Sequence, residues 1–142
     1  MEKPRATGRC LCGAVTYEVH GPLRDILLCH CVECRRWGGH AGAFAATRTV
    51  DLAIDETQAL RWIDSPDSDH GARRAFCNEC GSSLFWRAEG SERTGIAAGT
   101  LDSPTGLHVV AHIYTDQAGD YQRLDDGLPR DPDRSSLELR WS

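Results

Sequence analysis

Three short cysteine hooks constrain this chain more than anything else in it: Cys10-Leu-Cys12, Cys29-His-Cys31-Val-Glu-Cys34 and Cys77-Asn-Glu-Cys80. Thiolates at these spacings aim at a common cation, so the fold has to bring hooks from distant parts of the chain together around metal. The seven sulfurs divide as four plus three. Zinc closed by four protein ligands is structural, whereas zinc held by three keeps a coordination position open for water or substrate. The spacing therefore predicts two zinc ions per chain, one of them open to chemistry.

In a small secreted protein the same hooks could form a disulfide framework. Here the opening residues, Met1-Glu-Lys-Pro-Arg-Ala-Thr-Gly-Arg9, hold no apolar stretch of the secretory kind, and no later segment is long or apolar enough for a membrane-spanning helix. A reduced, cytoplasmic protein with no membrane partner is expected. The net charge is -5, with a pI of about 5.6 and basic residues scattered among acids. That is not the electrostatic footprint of a nucleic-acid binder, which needs clustered cations to neutralise phosphates.

Periodicity of two predominates, which predicts a mainly β protein. Ala14 to Val19 alternates so that Val15, Tyr17 and Val19 share a face. Ala59 to Ile63, Ala72 to Cys77, Leu84 to Trp86, Gly95 to Gly99 and His108 to Tyr114 are further short strands. Turn residues separate them at His20-Gly-Pro, Ser65-Pro-Asp, Glu89-Gly-Ser and Ser103-Pro-Thr-Gly. Short helical turns are expected at Glu33 to Trp37 and around Asp55 to Gln58. The reading is one zinc-binding β domain over 1–129 and a polar C-terminal tail over 130–142.

Side chains two apart on a strand share a face, so Cys10 with Cys12, and Cys29 with Cys31, can each present two sulfurs to one ion. Glycine follows the last cysteine of the first and third hooks, Gly13 and Gly81, where a positive φ lets the turn close on sulfur. Arg35 follows Cys34 instead. This pairs Cys10, Cys12, Cys77 and Cys80 in a closed site and leaves Cys29, Cys31 and Cys34 for the second ion. His30 points away from the face shared by its neighbours, while His40, His112 and Glu33 stand as alternative fourth ligands.

The order Gly8-Arg-Cys-Leu-Cys-Gly-Ala-Val, Cys29-His-Cys-Val-Glu-Cys-Arg-Arg, Phe76-Cys-Asn-Glu-Cys-Gly-Ser-Ser-Leu-Phe, Ala98-Gly-Thr-Leu-Asp, His112-Ile-Tyr and Asp126-Gly-Leu-Pro resembles the glutathione-dependent formaldehyde-activating enzyme family. The resemblance runs from Gly8 to Pro129. It implies a single-domain β-tent zinc fold of short antiparallel strands with zinc knuckles. Cys10, Cys12, Cys77 and Cys80 would be structural ligands, and Cys29, Cys31 and Cys34 the substrate-side, catalytic ligands. A Lys-Ala-Pro-Trp stretch frequent in that family is replaced here by Ala118-Gly-Asp-Tyr121. The activity implied is that of a carbon–sulfur lyase or synthase joining glutathione, or a similar thiol, to formaldehyde.

An open three-thiolate zinc suits that chemistry, because an incoming thiol bound there is held as thiolate. Arg35 and Arg36, beside Cys34, are candidates to hold a substrate carboxylate by paired hydrogen bonds. Trp37, Phe44 and Trp86 are candidates for the pocket wall. The competing function class is a non-catalytic zinc protein that serves as a binding or thiol-sensing module. The triplet argues against a purely structural or binding module, which has no need of an open second ion, whereas a thiol-sensing role would use the same open ion.

Overall fold

The structure is a computed structural model that describes residues 2–55, 58–66, 68–134 and 136–142. Its elements in chain order are β1 (Ala6–Arg9), β2 (Thr16–Val19), β3 (Arg24–Cys29), α1 (Val32–Gly38), β4 (Gly42–Arg48), β5 (Leu52–Asp55), β6 (Leu60–Asp64), β7 (Arg73–Cys77), β8 (Ser83–Arg87), β9 (Arg93–Ala97), β10 (Val109–Ile113) and β11 (Arg130–Asp131). Single 3-10 turns lie at Thr49–Asp51, Ala98–Thr100 and Thr115–Gln117.

The strands form two open sheets, a small one in the order β1-β2-β5 and an eight-stranded one in the order β11-β10-β3-β4-β9-β8-β7-β6. Neighbours pair antiparallel except around β10, which runs parallel to both β3 and β11. The core fills the space between the sheets. Val15, Tyr17 and Val19 turn inward as their alternation requires, and Tyr17 meets Phe85 edge to face with ring centroids 5.1 Å apart. Each such fully buried large side chain is worth roughly 1.5–3 kcal/mol over exposure. Gly8 allows this packing: a Cβ there would collide with the Tyr17 ring and the Thr100 carbonyl.

The six strands expected from alternation are all present, with ends shifted by at most two residues, and α1 covers the helical turn expected at Glu33 to Trp37. The turn expected around Asp55 to Gln58 falls on residues 56 and 57, outside the described residues, as does residue 67 of the Ser65-Pro-Asp turn. The 130–142 segment expected as a polar tail runs back over the large sheet. Asp131 lies in β11, Leu137 and Leu139 pack against a cluster containing Leu27 and Ile113, and Ser142 exchanges both backbone hydrogen bonds with Leu23. Arg140 clamps the buried Asp25 carboxylate through Nε and Nη2, both at 2.9 Å.

Candidate metal centres and the adjoining cavity

The sulfurs of Cys10, Cys12, Cys77 and Cys80 all lie within 4.8 Å of one another. Cys12 Sγ stands 3.7 Å from Cys10 Sγ and 3.8 Å from Cys77 Sγ. Tetrahedral zinc with Zn–S bonds of about 2.3 Å requires sulfur–sulfur edges of roughly 3.8 Å, so the donor set fits that ion. Gly13 (φ 82°) and Gly81 (φ 80°) turn the two hooks, and the Gly81 N–H closes its knuckle on the Cys77 carbonyl at 2.7 Å. The Val15 N–H donates to Cys10 Sγ, and the Leu11 N–H donates to Ser82 Oγ across the hooks at 2.9 Å. Ser82 also bonds Cys80 and draws its thiol down to about 5. One hook lies between β1 and β2 and the other between β7 and β8, so this cluster ties the small sheet to the large one.

The second cluster is Cys29, Cys31 and Cys34, and no His or carboxylate among the described residues joins it. Cys29 ends β3, Cys31 caps the N-terminus of α1, and Cys34 sits within that helix. Cys31 Sγ accepts the Cys34 N–H at 3.3 Å. Hydrogen bonds from Cys29 and Cys34 pull the Cys31 thiol down, and Cys29 is pushed up by its bond to Cys31. Three thiolates are soft donors compatible with zinc, and a tetrahedral ion held by them would have one position without a ligand from the described residues.

These sulfurs face a cavity of about 290 Å³. Phe44 and Trp86 line it, whereas Trp37 lies outside it, donating its indole N–H to Ser83 Oγ and packing on Phe76. Arg24, Arg74, Arg93 and Arg134 also line it. Arg74 is buried, with Nη2 3.6 Å from Cys34 Sγ and Nε donating to Ser65 Oγ, whose hydroxyl in turn donates to Glu33. Arg35 and Arg36 sit in the last turn of α1 and are not among the lining residues.

Sequence reasoning also missed Tyr114, a lining residue held at φ 52°, a left-handed conformation that costs a non-glycine residue strain. Burial, then the nearby Cys29 and Cys31, push its hydroxyl above the usual range, so it stays protonated. The alternative fourth ligands are engaged elsewhere. His30 Nε2 pairs with His112 Nδ1 at 2.8 Å, His112 Nε2 pairs with Asp126 Oδ2 at 2.8 Å, and His40 Nδ1 pairs with the Tyr121 hydroxyl at 2.8 Å.

Comparison with known proteins places these features in context. Residues 5–117, which include every cysteine, match the family described as glutathione-dependent formaldehyde-activating enzyme. A Schizosaccharomyces pombe protein named "Uncharacterized lyase C29B12.13" is 29% identical over 84 residues, an alignment covering 58% of this chain and 58% of that protein. The chain thus spans little more than half the length of that curated relative. A crystal structure of a Rhodobacter sphaeroides protein shares the fold, with a TM-score of 0.58 and 23% identity over 88% of this chain and 98% of the other.

Proposed function

This chain belongs to the glutathione-dependent formaldehyde-activating enzyme family, and from that membership we propose that it is a zinc-dependent carbon–sulfur lyase or synthase acting on a glutathione-type thiol and formaldehyde. The observation that carries the reading is the three-cysteine cluster, without a fourth protein ligand among the described residues, facing a cavity of small-molecule size. The reaction adds the thiol across the carbonyl of formaldehyde to give an S-hydroxymethyl adduct, with no other reactant or product. A sulfur–carbon bond forms, the carbonyl π pair moves to oxygen, and the thiol proton ends on that oxygen; the lyase direction reverses each step.

Cys29, Cys31 and Cys34 would hold the zinc, which when bound supplies a cation that favours the thiolate of an incoming thiol. Arg74, next to Cys34, offsets the negative charge that three sulfurs bring into a buried place. Phe44 and Trp86, which line the cavity, would give the reacting carbon an apolar wall. The protonated Tyr114 hydroxyl is suited to donate a hydrogen bond to the oxygen on which negative charge develops. Exchange NMR of glutathione with formaldehyde, with and without zinc-loaded protein, tests the proposal. Faster exchange is expected, and an unchanged rate at high protein concentration refutes it in favour of a non-catalytic zinc module.

A further inference from the structure

We propose that Arg24, Arg93 and Arg134 form an anion subsite in the cavity beside the cysteine triplet, one that binds the carboxylates of the substrate independently of its thiol. The inference rests on the reading of this cavity as the thiol site and adds what selects among thiols. These arginines come from β3, β9 and the segment after β11, so only the folded topology brings them to one cavity. Arg74 is excluded because it is already committed to Cys34 and Ser65.

None of the three is in an ion pair among the described residues, although other arginines have theirs: Arg48 with Asp51, Arg73 with Asp64 and Arg140 with Asp25. Arg24 is only 6% exposed, yet its guanidinium meets just two main-chain carbonyls, of Asp25 and Phe44. A buried charge without a counterion is costly, and a ligand that supplies the missing charge relieves that cost. The three also repel one another. Burial, then Arg134 and Arg93, pull Arg24 down to about 10, and burial with Arg93 lowers Arg134. A carboxylate seated among them removes that repulsion. Arg24, whose Nε and Nη2 donate to main-chain carbonyls, supplies charge, and the guanidinium forks of Arg93 and Arg134 match a carboxylate with two parallel hydrogen bonds. The arginines and the triplet line the same cavity, so one molecule can place its carboxylates on the arginines and its sulfur at the triplet.

Calorimetric titration of the zinc-loaded protein with three probes tests this: glutathione, S-methylglutathione, which keeps the carboxylates and blocks sulfur, and glutathione diethyl ester, which does the opposite. S-Methylglutathione should bind measurably, and the ester should bind at least about tenfold more weakly than glutathione. Arg93→Gln and Arg134→Gln, at an exposed and a half-buried position, should keep the wild-type melting temperature and each weaken S-methylglutathione by about tenfold or more. The ester should be indifferent to both. Equal affinity for ester and acid, unchanged affinity in both variants, or failure of both acids to bind overturns the subsite. Arginine-dependent binding of S-methylglutathione without any formaldehyde adduct supports the subsite while removing the proposed reaction. Adduct formation with arginine-insensitive binding does the reverse.

Discussion

Cys80→Ala and Cys34→Ala should rank in the order opposite to the one packing alone dictates. Cys34 is 6% exposed and Cys80 is half-buried, so as apolar groups Cys34 would be the costlier to truncate. Metal ligation as proposed would reverse that order. Cys12 and Cys77, whose sulfurs adjoin, are 65 residues apart in the chain. By the loop-closure relation used for cross-links, tying residues that far apart removes unfolded-state freedom worth about 4 kcal/mol. The triplet closes only the short stretch from Cys29 to Cys34, worth about 2 kcal/mol by the same relation. Part of that is held without metal, by the cap from the Cys34 N–H to Cys31 Sγ and the Arg35 N–H on the Cys31 carbonyl at 2.9 Å.

For a domain of this size 1 kcal/mol moves the melting temperature by about 3 °C. Cys80→Ala should therefore lower it by about 10 °C or more, or leave the protein insoluble, and Cys34→Ala by about 6 °C at most. Calorimetric melts paired with metal analysis provide the assay. Cys34→Ala should retain one zinc per chain and lose thiol binding. If it melts as low as Cys80→Ala, both clusters belong to the fold and the argument for an open catalytic ion collapses.

The purified protein should hold two zinc ions per chain, and a chelator should take the triplet's ion first, because the four-cysteine ion is coupled to folding; simultaneous loss with unfolding contradicts the division. Tyr114→Phe should keep fold and zinc while slowing adduct exchange by about a hundredfold, within the range expected of a positioned donor; an unchanged rate removes Tyr114 from the chemistry. Asp25 has its carboxyl held below the usual range by Arg140, so its stabilisation is present above about pH 4 and lost as pH falls through the lower folded value. Hydrogen exchange should accordingly show residues 137–142 loosening in acid, and Arg140→Gln should loosen them at neutral pH; protection unaffected by the variant counts against that clamp.

Much of the scaffold was legible because its signals are local. Val15, Tyr17 and Val19 alternate since one face of β2 is buried and the other wet. The hooks were legible because ligand spacing is itself a sequence pattern. By contrast β3, Arg-Asp-Ile-Leu-Leu-Cys, is buried along almost its whole length, so it has no alternation, and its leading charges read as surface. Only Asp25 has a charged partner, Arg140, which is remote in sequence, whereas the Arg24 guanidinium meets main-chain carbonyls of Asp25 and Phe44. Arg35 and Arg36 drew attention through closeness to Cys34 in sequence. On a helix, however, residues one and two positions on point to other sides, so the helix that turns Cys34 to the cavity turns them elsewhere. The arginines that do line it are scattered from position 24 to 134.

Topology also explains how three sulfurs can be held in place with no fourth His or carboxylate among the described residues to brace them. Cys29 stands at the end of a strand flanked by β4 and the parallel β10, so its backbone is fixed on both sides. The next residue, His30, donates its N–H to the Ile113 carbonyl at 3.0 Å and turns its ring away from the cavity to pair with His112. His112 belongs to β10 and is itself anchored by Asp126. The chain between Cys29 and Cys31 is thus pinned from the face opposite the sulfurs, and Cys31 is fixed again as the cap of α1. A closed site gains such rigidity from its fourth ligand, whereas an open one has to obtain it from supporting hydrogen bonds. The His30–His112–Asp126 chain supplies such support from outside the triplet, as an open site of the kind proposed would require.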